Sequence, residues 1–64
     1  MARDEREQKA LDMLNDKSIP TDDIIRYVKG ECRDVNFGLQ TLGMLFERIA
    51  GVEYDKDDPY TVTL

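Results

Sequence analysis

The chemistry open to this chain rests on carboxylates and one thiol. Fourteen Asp and Glu side chains and a single cysteine, Cys32, occur in 64 residues, and histidine is absent. The commonest metal ligand and the commonest general base are therefore missing. One cysteine makes neither an intramolecular disulfide, a zinc knuckle nor a Cys-x-x-Cys redox pair. Cys32 follows the expected end of a helix, the wrong pole of the dipole for lowering a thiol pKa. It reads as an inert, partly buried side chain. Asp55-x-Asp57-Asp58 has a trace of a calcium loop, but such a loop needs glycine at its sixth position, where Tyr60 stands, and glutamate at a twelfth that this sequence does not reach. Two carboxylates could form an acid–base pair, yet most sit beside Lys or Arg on expected helix surfaces. So short a chain also leaves little room for a pocket on the order of several hundred Å^3. The expectation is a protein without catalytic residues, cofactor or metal.

A second group of residues suits recognition. Arg33, Asn36, Gln40 and Thr41 can read base edges, and they would open the second helix of a helix-turn-helix unit. The region lacks the surplus of Lys and Arg that supplies most DNA affinity, and the chain carries a net charge of −5. A DNA-binding regulator is therefore the alternative reading. A third group, Phe37, Thr41, Met44 and Arg48, falls along one line of a helix and combines an aromatic, a methionine and an arginine, as interface cores do.

The elements that must hold these groups are helical. Arg3 to Asn15 mixes alternating charges with good helix formers, and Glu5–Lys9 has the favourable acid-before-base order. The expected first helix runs over 4–15 and docks through its second half, by Ala10, Leu11 and Leu14. Thr21 can cap a second helix over 22–29, with Asp22 and Asp23 in its first turn and Gly30 just past its end. Asp34, or Asn36 two residues on, caps a third over 35–50, ended by Gly51. Val35, Leu39, Leu42, Phe46 and Ile49 recur at alternating steps of four and three. They make the expected buried seam, with Phe37 and Met44 projecting nearly opposite. Gly38 and Gly43 each cost about 1 kcal/mol of helix propensity, a cost eased where another backbone packs close.

After Gly51 the pattern changes. Glu53, Asp55, Asp57 and Asp58 face only Lys56, so the acidity concentrates in the tail. Tyr60, Val62 and Leu64 alternate with Thr61 and Thr63, the period-two signature of a strand. Such a strand must pair with a copy of itself, add to a partner's sheet or lie across the helices. No apolar run approaches the ~20 residues that cross a bilayer, and the charged first residues do not resemble a secretory signal.

The sequence thus predicts an all-α fold: a three-helix unit over 1–52, and an acidic loop with an extended segment over 53–64 in the same domain. Helix three is expected at its centre. The expected function is non-enzymatic: a small cytoplasmic regulator or inhibitor that binds a larger protein and pairs with itself through helix three. Phe37, Thr41, Met44, Arg48, Asp57, Asp58, Tyr60, Val62 and Leu64 are the expected partner-binding residues. A protein partner and a homodimer are expected, with no membrane and no nucleic-acid partner in the favoured reading.

Overall fold

The computed structural model describes residues 4–54, 57 and 62–64. The fold is all-α, with three helices: α1 (Glu5–Asn15), α2 (Thr21–Glu31) and α3 (Leu39–Arg48). Asp4 caps α1, its carboxylate accepting the Arg6 N–H at 2.8 Å, and Glu5 and Glu7 lie in the first turn, where the helix dipole favours negative charge. The start of α2 differs from expectation. Pro20 is the N-cap and makes no side-chain cap bond, and Thr21 lies inside the helix. The Pro20 carbonyl accepts the N–H groups of Asp23 and Ile24, so the main chain supplies what the Thr21 hydroxyl was expected to supply. The helix also runs through Gly30 to Glu31 and closes on the Cys32 N–H, which donates to the Val28 carbonyl.

The largest correction concerns residues 35–38. They precede α3, whose N-cap is Gly38, so neither Asp34 nor Asn36 caps it. Val35 and Phe37 are buried, while Asn36 between them is exposed and forms an isolated bridge. That alternation belongs to extended chain rather than to helix. Freed from Val35, α3 turns a different face inward. Leu42, Leu45 and Thr41 are buried, whereas Leu39 is 74% exposed and Phe46 43% exposed. At ~100° per residue the helix is rotated by roughly 70° from the expected seam.

The central element is α1 rather than α3. Its principal partners are α3 on one side and α2 on the other. Ala10 and Leu14 join Ile24, Val28, Phe37, Leu45 and Ile49 in the core. Glu7, in the first half of α1, is buried as well, so docking is not confined to the second half.

After α3 the chain turns at Gly51, whose φ of 89° suits a residue without Cβ. Glu53–Tyr54 (β1) then pairs antiparallel with Val62–Thr63 (β2), Glu53 opposite Thr63 and Tyr54 opposite Val62. The expected strand is thus matched by a two-residue ladder within the chain, and Val62 enters the core at 6% exposure.

Candidate functional site

Three polar side chains fasten the helices at their ends. The exposed N–H and C=O groups of helix termini need partners, and here they receive them from neighbouring helices. From α1, Arg6 reaches the end of α2, where it donates to the Glu31 carbonyl at 3.2 Å and to Asp34 Oδ1 at 3.0 Å. Next to it, the buried Glu7 accepts the Gly38 N–H at the start of α3. A carboxylate there complements the positive end of the α3 dipole. A Cβ at position 38 would lie 3.3 Å from Glu7 Oε2, a tight contact that the carboxylate would have to ease by shifting. From α3, Arg48 reaches the end of α1 and donates to the carbonyls of Leu14 at 3.0 Å and Asp16 at 3.4 Å, and to that of Ile19. One guanidinium therefore gathers carbonyls that no helix bond satisfies.

These contacts assign Arg48 an internal role in place of the expected partner contact. Phe37 and Thr41, expected on the same outward stripe, are buried at 1% and 0%. Thr41 Oγ1 has no hydrogen-bond partner among the described residues. Met44 is half-buried against the core. Of the expected tail residues, Val62 is buried, Leu64 is half-buried and Asp57 is exposed, whereas Asp58 and Tyr60 lie outside the described residues. Two of the four residues of the expected partner-facing stripe are thus covered within the chain itself, because the extended segment carries Phe37 inward and the rotation of α3 carries Thr41 with it.

The same rotation presents another face. Leu39 and Phe46, seven residues apart, share one line of α3, with Gly43 between them. A Cβ at Gly43 would meet nothing within 4 Å among the described residues, contrary to one expectation for this glycine. Gln40 and Glu47 border the line and are exposed. The face is apolar at its two ends and nearly flat between them.

The thiol offers no reactive chemistry. Burial pushes Cys32 above the ordinary thiol range, although its contact with Tyr27 acts the other way. The Tyr27 hydroxyl and the Cys32 thiol both approach the Arg6 carbonyl, at 3.5 and 3.7 Å. Burial likewise raises Tyr27. The displaced carboxylates serve structure. Asp4 is held low by its bonds to Arg6, and Asp16 by the Ser18 hydroxyl and N–H. Among the described residues no group of three metal-ligating side chains converges, and no helix is long and apolar enough to cross a membrane.

The link between α2 and α3 departs from that of a helix-turn-helix. Residues 32–38 join α2 to α3, longer than the three- or four-residue turn of that motif, and Thr41 is buried. Comparison with protein-family models, with curated proteins and with solved structures finds no match.

Proposed function

We propose that this chain is a small non-enzymatic interaction module, a regulator or inhibitor of a larger protein, and that it pairs with itself through α3. The observation that carries the reading is the exposure of Leu39 and Phe46 on one line of α3, with Gly43 between them. Exposed side chains of this size come in ones and twos on most surfaces. Here they flank a position without a side chain, which lets a second helix lie close. Leu39 and Phe46 stand at nearly equal distances along the helix from Gly43. A twofold axis near that residue sets Leu39 of one copy against Phe46 of the other, the self-complementary arrangement of an isologous dimer. A chain of 64 residues has a small core, and such a contact adds apolar burial that one copy lacks.

Sedimentation equilibrium at high micromolar concentration tests the self-association. The wild type is expected to sediment as a dimer, and Leu39→Glu as a folded monomer with an unchanged helical circular dichroism spectrum. A wild type that stays monomeric would remove the α3 contact from the proposal.

A further inference from the structure

Among the described residues, most cations have a partner. Arg6 is bound to Asp4 and Asp34, Arg26 to Asp23, Arg48 to main-chain carbonyls, and Lys9 lies 4.8 Å from the centre of the Tyr27 ring. Lys29 and Arg33, like Lys17, are exposed and enter no ion pair among the described residues. They are four residues apart, at the end of α2 and in the turn after it. Both border an open cleft of about 450 Å^3, whose other described walls are Val28, Val62 and Leu64. Two positive charges with no ion-pair partner among the described residues thus stand over an aliphatic floor in a chain of net charge −5.

We infer that this cleft is a docking site for an acidic segment of another protein, one that anchors an aliphatic side chain between α2 and β2 while its carboxylates meet Lys29 and Arg33. Charge complementarity selects the sign of the ligand, and the floor selects its kind. Val28, Val62 and Leu64 offer no aromatic surface on which a base could stack, and two cations are few for a phosphate backbone. An anionic bilayer would meet a protein of its own sign outside this patch. A peptide satisfies both halves of the cleft, with the aliphatic contact giving residence and the charges giving orientation and on-rate. The inference adds a surface with no residue of α3, so it stands or falls independently of self-association.

The test uses the full chain, labelled for amide NMR, and a blocked peptide with two leucines flanked by glutamates on each side. A control peptide has glutamine in place of every glutamate. The expected result is saturable shifts clustered at Val28, Lys29, Arg33, Val62 and Leu64, with affinity falling at least about tenfold for the glutamine control and for the K29E/R33E variant. K29Q/R33Q serves as the second variant, and the amide spectrum remote from the cleft confirms that each variant is folded. The inference is overturned by shifts centred elsewhere, by none at millimolar peptide, or by equal affinity for the two peptides. It is also overturned if mixed-sequence duplex DNA or anionic vesicles shift these residues where the peptide does not.

Discussion

Phe37 and Phe46 stand nine residues apart and live in opposite surroundings. Phe37 is 1% exposed and is among the largest fully buried side chains, whereas Phe46 is 43% exposed on the outer side of α3. Backbone direction decides between them. Residue 37 belongs to an extended segment whose alternate side chains turn inward, with Val35 as its companion. Residue 46 belongs to a helix whose inward face is already filled by Thr41, Leu42 and Leu45. The same aromatic group therefore fills the core in one place and lies partly exposed on a helix surface in the other.

Substitution of Phe37 should have the largest effect. Phe37→Ala is expected to cost about 3–5 kcal/mol through lost burial and a residual cavity. A domain of this size has a total stability of only about 3–10 kcal/mol, so the variant should be largely unfolded in a urea titration. A midpoint near that of the wild type would break the contrast. Arg48→Ala comes next, at about 2 kcal/mol, because it strips charged hydrogen bonds from half-buried carbonyls. Arg48→Lys should recover only part of this, since an ammonium lacks the planar fork that reaches several acceptors at once. Phe46→Ser should change the unfolding free energy read from the urea titration by less than about 1 kcal/mol while weakening the proposed self-association in sedimentation. Were it instead as damaging as Phe37→Ala, the two aromatics would be equivalent after all.

The smallest effect is electrostatic. The carboxyls of Asp4 and Asp16 lie below their ordinary 3.8 in the folded chain. The unfolded chain thus binds more protons as the solution is acidified. Their contribution is complete above 3.8 and is lost as pH falls through the depressed folded values. Both groups are exposed, so the slope should be shallow. A thermal melt series crossing 3.8, repeated with Asp4→Asn, reads it directly, with a flatter profile expected for the variant.

Much of the fold was legible in local patterns. Helix α1 lies where the charge pattern and helix formers placed it, with Asp4 as its cap rather than its first residue, and the acids after Pro20 marked α2 despite the wrong cap. The error at α3 came from a real ambiguity. Val35, Leu39, Leu42, Phe46 and Ile49 fit one seam, but Leu42, Leu45 and Ile49 fit another at the same spacing. The choice depended on whether Val35 was helical. The sequence Val35-Asn36-Phe37-Gly38 carries a period-two signal that was available, and it is too short to outweigh a long helical pattern. The expected interface inherited that error, so Phe37 and Thr41 moved inward and Leu39 and Phe46 outward. Glu7 and Arg6 left no local trace, because their partners lie 31 and 25 residues away. A charged side chain four places from another reads as surface until the chain is folded.

The three end-to-end fastenings bear on how this molecule loses its structure. Arg6 and Glu7 tie the beginning of α1 to the end of α2 and the beginning of α3, and Arg48 returns from the end of α3 to the end of α1. No two helices contain the whole set. Opening α1 releases terminal groups on α2 and α3, and opening α3 releases those on α1, so partial unfolding of either gains little entropy before it exposes unsatisfied backbone. Amide hydrogen exchange in the middle of α1, α2 and α3 should accordingly report one common opening free energy rather than three separate ones.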